Sequence, residues 1–276
     1  MRIDAHQHFW SYDEAQYPWI PKGSRLHRDW LPADLDPLLA WRQMDGSVAV
    51  QARQTLEETR WLLSLADQNP SIKGVVGWVD LRSPRVEERL EELVKHPRLV
   101  GVRHVAQDEP DDKFLLQPEV MRGIGSLKRF GLTYDLLVYP RQLPAAIALA
   151  RRLPEHRFVL DHIAKPPIRN GVMEPWDDQI RQLARSQNVY CKISGLITEA
   201  NHQKWAPEEV YPYLDVVFEA FGTNRLMFGS DWPVCLLAGS YDRVYELVAG
   251  YTRGLAPIEQ EAFFGGNAAR FYTLRP

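Results

Sequence analysis

Two histidines near the amino terminus, His6 and His8, are spaced so that a single ligand could contact both. They lie in the apolar run 3–10, which is typical of a β-strand. Side chains alternate between the faces of a strand, so His6 and His8 point the same way, together with Asp4. Two imidazoles on one face can bind a metal ion or a ligand oxygen. Such a pair is also common as packed or surface residues, and by itself it leaves both interpretations open.

Other polar side chains follow apolar runs later in the chain, where strands would end. Asp231 comes shortly after the run 225–228, and His162 and Arg103 stand near the ends of two earlier runs. An ionised carboxylate such as Asp231 can accept a proton from water. Asp also caps turns and helices, so Asp231 alone does not decide between a catalytic and a structural role.

Eight short apolar runs alternate with segments of helical period, which is typical of βαβ units and a parallel sheet. The predicted strands are 3–10, 47–52, 73–79, 99–105, 132–138, 158–163, 189–193 and 225–228. The predicted helices are 34–44, 55–69, 84–95, 118–130, 143–153, 176–186, 207–221, 241–250 and a closing helix at 257–272. Thr55 and Glu58 have the spacing of a capping box at the start of the second helix.

The length of 276 residues suits one (β/α)₈ barrel, which typically takes about 250 residues. A doubly wound open sheet is the alternative. The sequence has no Gly-x-Gly-x-x-Gly turn after a strand and no Gly-Lys-Ser/Thr loop, which disfavours that alternative. We therefore predict a single barrel domain over residues 1–276. Barrel active sites lie at the carboxyl ends of the strands, so His6, His8, His162 and Asp231 would share one rim.

The overall composition excludes several classes of protein. A hydrophobic fraction of 45% and a charged fraction of 25% argue against a disordered chain. The 33 basic and 36 acidic residues are scattered, so no nucleic-acid partner is expected. No apolar run reaches the length of a membrane span and no leader pattern follows Met1, so we expect a cytoplasmic protein without membrane contact. The sequence does not indicate an oligomeric state.

The segment 11–34 has neither helical nor strand period and is rich in proline and aromatic residues. Loops longer than about 12–15 residues in a compact domain are usually lids or binding loops, or are disordered. The aromatic residues, Trp19 and Trp30 among them, favour a packed loop. We expect some aromatic side chains of the chain to line a sugar-sized pocket.

Five groups of residues together resemble the amidohydrolase superfamily, and within it the branch of sugar-lactone hydrolases. They are the segments 4–10, 101–110, 160–166, 228–233 and 266–270. The resemblance spans nearly the whole chain. It implies a distorted (β/α)₈ barrel that hydrolyses a small-molecule sugar lactone, such as L-fuconolactone or L-rhamnonolactone, to the sugar acid.

The resemblance also implies roles for individual residues. Asp231 would activate the attacking water and return a proton to the leaving alkoxide. Positive charge or hydrogen-bond donors must stabilise the carbonyl oxygen as it becomes negative. The candidates for that role are His6, His8, His162 and Arg103. The candidates for holding substrate hydroxyls or a ring face are Gln51, Trp30, Trp78, His104, Lys192 and Trp232.

The chain departs from better-known members of the superfamily at a metal ligand. Those members use a histidine from the fifth strand, and the segment 132–138 contains none. His6, His8 and Asp231 could still hold one divalent ion such as zinc, assisted by His162 or His104. We therefore expect no obligatory metal. Two alternatives stay open, a metal-dependent decarboxylase or amide hydrolase of the same superfamily and a barrel that binds a sugar acid without turnover.

Overall fold

The computed structural model describes residues 1–275 and contains one sheet of eight parallel strands. The strands are Ile3–Gln7 (β1), Gly46–Val50 (β2), Ile72–Gly77 (β3), Leu99–His104 (β4), Thr133–Leu136 (β5), Phe158–Leu160 (β6), Val189–Ile193 (β7) and Leu226–Phe228 (β8). Each strand pairs in parallel with the next one along the chain, from β1 to β8. The predicted (β/α)₈ barrel is confirmed.

Helices connect the strands on the outside of the sheet, as a parallel barrel requires. They are Pro32–Trp41 (α1), Leu56–Gln68 (α2), Val86–Leu93 (α3), Pro118–Ser126 (α4), Leu143–Arg152 (α5), Trp176–Ala184 (α6), Pro207–Phe221 (α7) and Tyr241–Thr252 (α8). Hydroxyl caps begin two of them, because Thr55 accepts the amide of Glu58 and Ser240 accepts that of Arg243. Among residues 1–275, no helix is both long and apolar enough to cross a membrane.

The first and last strands meet at the carboxyl end of the barrel. The amide of Asp231 donates to the carbonyl of His6 at 2.8 Å, and the amide of His8 donates to the carbonyl of Trp232 at 2.7 Å. Both bonds involve backbone just beyond, or at the end of, β1 and β8. The barrel therefore closes through the same residues that carry the candidate catalytic side chains.

The closing helix predicted at 257–272 is interrupted. It divides into Pro257–Glu261 (α9) and Asn267–Tyr272 (α10), with a wider π-type turn at Ala262–Gly266 between them. Gly265 is pressed against the amino terminus, where an added Cβ would lie only 2.2 Å from the carbonyl oxygen of Met1. The backbone has to bulge there to make this contact. Phe271 and Tyr272 then pack on the strands and close the amino-terminal end of the barrel.

His156, just before β6, is a buried histidine without a hydrogen-bond partner for either ring nitrogen within residues 1–275. Burial, together with Arg157 and Lys128, lowers the pKa of His156 to about 4. Between pH 4 and 6.5 the unfolded chain binds a proton that the folded chain excludes, so stability falls as the pH is lowered through this range.

Replacing this side chain tests that assignment. We expect His156→Leu to reduce the loss of unfolding free energy between pH 7 and pH 4.5 by about 2 kcal/mol, measured by urea denaturation at each pH. His202→Leu, at an exposed histidine, is the control and should leave the wild-type pH dependence in place. A pH dependence unchanged by His156→Leu would contradict the prediction.

Candidate active site

Four of the predicted side chains converge at the carboxyl end of the barrel. The Nε2 atoms of His6 and His8 are 3.2 Å apart. Oδ1 of Asp231 lies 3.4 Å from Nε2 of His8 and 3.9 Å from Nε2 of both His6 and His162. All four side chains are buried. The structure thus brings together the four side chains that the sequence analysis expected on one rim.

Left-handed backbone presents two of these side chains. Asp231 has φ of 56°, and the four consecutive residues 162–165 all have φ between 48° and 61°. Such a conformation is costly for residues other than glycine, most of all for the β-branched Ile163. The indole of Trp176 holds this segment by donating to the carbonyl of Ile163 at 2.7 Å. Gly195 makes room on the other side, because a Cβ there would lie 2.6 Å from Nδ1 of His162.

A buried ionic cluster lies beneath the histidines. The ammonium of Lys192 is 2.6 Å from Oδ2 of Asp135 and 3.0 Å from Oδ1 of Asp161, and all three side chains are fully buried. Tyr272 donates to Asp135 at 2.7 Å from the opposite end of the barrel. Burial opposes the ionisation of Asp161, but Lys192 and His6 outweigh it and hold the pKa of that carboxyl well below its usual range.

Arg103 is fully engaged by neighbouring residues. Its Nε donates to Oε1 of Gln51 at 3.0 Å, and Nη2 donates to both the carbonyl and the side chain of Gln51. Nη1 donates to Oδ2 of Asp161 at 3.0 Å and lies 3.3 Å from Nε2 of His6. A guanidinium has five N–H donors, so little capacity remains for a ligand. In this geometry Arg103 orients Gln51 and Asp161.

At neutral pH the site combines a carboxylate with neutral imidazoles. Burial alone would raise the pKa of Asp231, but His162, His8 and Lys165 outweigh it and bring that pKa below its usual value. Burial lowers the pKa of His8, and it lowers those of His6 and His162 still further. Asp231 can therefore accept a proton, while the histidines act as hydrogen-bonding groups or as ligands.

The chemistry of the donor set fits the divalent ion that the resemblance implies. His8 donates from Nδ1 to the carbonyl of Val50 at 2.8 Å, which leaves a lone pair on its Nε2. Nδ1 of His6 lies 3.3 Å from Oδ1 of Asp161 and 3.1 Å from Nζ of Lys192, and its Nε2 faces Nε2 of His8 at 3.2 Å. One ring nitrogen of His6, one of His8 and a carboxylate oxygen of Asp231 all lie within 4.8 Å of one another, close enough to bind one ion together. Two imidazoles and a carboxylate suit zinc.

A cavity of about 400 Å³ opens above these groups, and His8, Arg103, His162 and Asp231 form its floor. Its walls come from loops that follow the strands. The contributing segments are 16–21, 52–54, 105–108 and 234–237, together with Lys165. A volume of this order suits a small molecule such as a single sugar ring.

A family model described as Amidohydrolase matches residues 3–274. The chain belongs to the amidohydrolase family. It is 43% identical to an L-fucono-1,5-lactonase of Burkholderia multivorans, over 99% of this chain and 96% of that protein. It is 41% identical to an L-fucono-1,5-lactonase of Burkholderia ambifaria, with the same coverage. The crystal structure of an amidohydrolase from Burkholderia multivorans with bound zinc superposes with a TM-score of 0.96 at 44% identity, over the full length of both chains.

The residues predicted to hold substrate lie behind the cavity wall of this amidohydrolase. Within residues 1–275, its lining includes none of Gln51, Trp30, Trp78, His104, Lys192 and Trp232. The indole of Trp78 donates to Nδ1 of His104, whose Nε2 is 2.7 Å from a carboxylate oxygen of Glu109. The rings of Trp30 and Trp232 pack edge to face, 5.2 Å between centroids. In this geometry the six residues support the wall, and a direct contact with ligand would require side-chain movement.

Several side chains that do line the cavity were not among the predicted ligand-binding residues. Arg53 and Lys165 stand just after β2 and β6, and Trp19 comes from the long loop. Gln107 and Asp108 follow β4 inside a segment that carried the family resemblance. In the sequence, the four polar residues are recognisable only as polar side chains within five positions of a strand end. Trp19 is recognisable only as an aromatic residue within an unusually long loop. Many residues share these features, so they could not single out these five.

The buried ionic cluster of Lys192, Asp135 and Asp161 should contribute strongly to the stability of the amidohydrolase. We expect Lys192→Met to lower the free energy of unfolding by about 3–5 kcal/mol, because it leaves Asp135 and Asp161 buried without their shared cation. Urea denaturation at pH 7 measures the change. Lys128→Met, which removes an exposed ion pair with Glu155, is the matched control and should cost less than about 1 kcal/mol. Equal losses in the two variants would contradict the prediction.

Proposed function

We propose that this chain is a lactonase that opens a sugar-derived lactone, such as L-fuconolactone or L-rhamnonolactone, to the sugar acid. The observation that carries the proposal is the convergence of Asp231, His8 and His162 at the floor of a cavity of about 400 Å³, with His6 beside them. Relatives named L-fucono-1,5-lactonase, at 41% and 43% identity over 99% of the chain, support the substrate class.

In the proposed reaction Asp231 acts as the general base. It takes a proton from a water molecule while the water oxygen attacks the carbonyl carbon of the lactone. The ring C–O bond then breaks, and Asp231 returns the proton to the leaving alkoxide. The carboxylic acid so formed ionises at neutral pH and releases one proton to solution.

His162 is positioned to stabilise the negative oxygen that forms during attack. The hydroxyl of Ser194 lies 2.9 Å from Nδ1 of His162 at the cavity floor. We propose that Ser194 donates in this bond, which would place the ring proton on Nε2. One such donor contributes about 3 kcal/mol to transition-state stability in comparable sites. His8 presents a nitrogen lone pair on Nε2, so its role is to accept from water or, together with His6, to hold an ion. Arg103 acts by keeping Asp161 and Gln51 in place.

A bound divalent ion would be held by His6, His8 and Asp231. It would polarise the lactone carbonyl and lower the pKa of a bound water. We propose that this assistance is not obligatory, because Asp231 can act as a base and His162 can donate without it.

Removing the proposed base tests the mechanism. We expect Asp231→Asn to lower kcat for L-fuconolactone by at least about 10³-fold, since an amide cannot accept the proton from water. Proton release, followed with a pH indicator, measures the rate. The control Asp242→Asn changes a half-exposed carboxylate that pairs with Arg42 on the surface and should retain wild-type activity.

The same variant separates turnover from simple binding. Calorimetric titration with L-fuconate should give an affinity for Asp231→Asn within about fivefold of wild type. A wild-type protein that binds L-fuconate but opens no lactone of a panel with five- and six-membered rings would instead support a sugar-acid-binding barrel. An unchanged rate in Asp231→Asn would remove Asp231 from the mechanism.

The second candidate function is a metal-dependent reaction, decarboxylation or amide hydrolysis, and the convergent donor set of His6, His8 and Asp231 is the observation that favours it. Exhaustive chelation, verified by elemental analysis, distinguishes the two. We expect lactone opening to fall by less than about tenfold after chelation. A complete loss that added zinc restores would favour the metal-dependent mechanism.

A further inference from the structure

Glu58, in the first turn of α2, is a buried carboxylate outside the catalytic floor. Its sequence context predicts a capping box, in which the Glu58 side chain would bond back to the amide of Thr55. Only half of that motif forms. The hydroxyl of Thr55 accepts the Glu58 amide at 3.1 Å, whereas the amide of Thr55 bonds to the carbonyl of Arg53. The Glu58 carboxylate is therefore used elsewhere.

The carboxylate joins two walls of the cavity. Its Oε2 accepts the amides of Ala52 and Arg53 at 3.0 and 2.7 Å. Its Oε1 accepts the hydroxyl of Tyr17 at 3.1 Å. Ala52 and Arg53 line the cavity, and Tyr17 directly precedes the lining residues Pro18 and Trp19. One side chain thus ties the long loop to the segment after β2.

These contacts also hold the cationic side chain of Arg53 at the cavity. The guanidinium of Arg53 lines the cavity, and its carbon lies 5.5 Å from the centre of the Tyr17 ring. Its Nε is buried and makes no hydrogen bond to any residue in the range 1–275. A buried N–H donor without a partner is rare, and a ligand oxygen in the cavity would supply one.

A role as helix cap alone does not explain this burial. Caps in first turns are usually solvated, whereas Glu58 is completely buried. Burial raises the pKa of Glu58 to about 7, although the amides of Arg53 and Ala52 and the Tyr17 hydroxyl act in the opposite direction. Burying the Glu58 carboxyl group thus costs free energy of folding, and this group lies where the two walls of the cavity meet.

We propose that Glu58 is a positioning residue that fixes Arg53 and the segment around Tyr17 as a substrate-recognition wall, with Arg53 donating to an oxygen of the sugar lactone. This inference rests on the proposed function for the identity of the ligand. The placement of the wall by Glu58 is independent of it.

The kinetic test uses single and double variants of the full chain with L-fuconolactone. Arg53→Gln and Glu58→Gln should each raise KM about tenfold and lower kcat less than threefold, because binding and not bond-making is affected. The double variant should raise KM by less than the product of the two single effects, since Glu58 acts in part through Arg53. Tyr17→Phe removes one hydrogen bond and keeps the ring, so a smaller rise of about threefold is expected. It serves as the test if Glu58→Gln fails to fold.

Thr55→Ala is the matched control, because it removes the helix cap and leaves the Glu58 carboxylate contacts in place. It should lower thermal stability slightly and leave KM unchanged. An equal rise of KM in Thr55→Ala and Glu58→Gln would reduce Glu58 to a helix-stabilising residue and overturn the proposal. Additive effects of Arg53→Gln and Glu58→Gln would also overturn it.

Hydrogen exchange separates this proposal from the proposed function. Peptides containing the amides of Ala52 and Arg53 should exchange at least tenfold faster in Glu58→Gln than in wild type or Thr55→Ala. If the wild type opens no lactone and binds no L-fuconate, the proposed function fails, and exchange alone then decides whether Glu58 positions the wall. Unchanged exchange would overturn the positioning role whatever the activity.

Discussion

The ammonium of Lys192 is the interaction on which the active-site end of the barrel depends. It extends from β7 and lies between Asp135 of β5 and Asp161, which directly follows β6. Asp161 in turn receives Arg103 from β4 and stands 3.3 Å from a ring nitrogen of His6 on β1. Because these groups are buried, an unpaired charge among them would be strongly destabilising. The ion pairs therefore hold the strands in the register that brings the histidines to one end of the barrel.

The sequence allowed the fold to be predicted and indicated which side chains converge at the candidate site, but it did not indicate the buried ion pairs beneath them. His6 and His8 follow from strand parity, and Asp231 follows from its place after an apolar run, because both signals are local. The Lys192 cluster depends on which side chains meet across the barrel interior, and that is decided by the register of several strands at once. The absence of a histidine from the fifth strand was evident from the sequence, whereas the pairing of the buried Asp135 of that strand with Lys192 was not.

Side-chain direction explains the remaining differences. The tryptophans and His104 were expected at the ligand, yet Trp30 and Trp232 are buried in the core, where large rings bury more surface. The half-buried Trp78 donates to His104. Arg103 was expected to donate to substrate, but its donors are taken by Gln51 and Asp161. The capping box predicted at Thr55 and Glu58 marked the start of the helix correctly. Its prediction that the Glu58 carboxylate accepts the amide of Thr55 was wrong. Sequence spacing gives position along the chain, and competition among neighbouring acceptors determines the partner.

The closure of the barrel has a consequence for folding. Asp4 accepts the amide of Ser230 across 226 residues of sequence, next to the bonds that join His6 and His8 to the end of β8. Contacts of such separation carry a high loop-closure entropy and form late. A chain with seven docked strands would already bury much of its core but would lack Asp231 beside the histidines. The groups of the candidate site are therefore brought together only when β8 closes on β1.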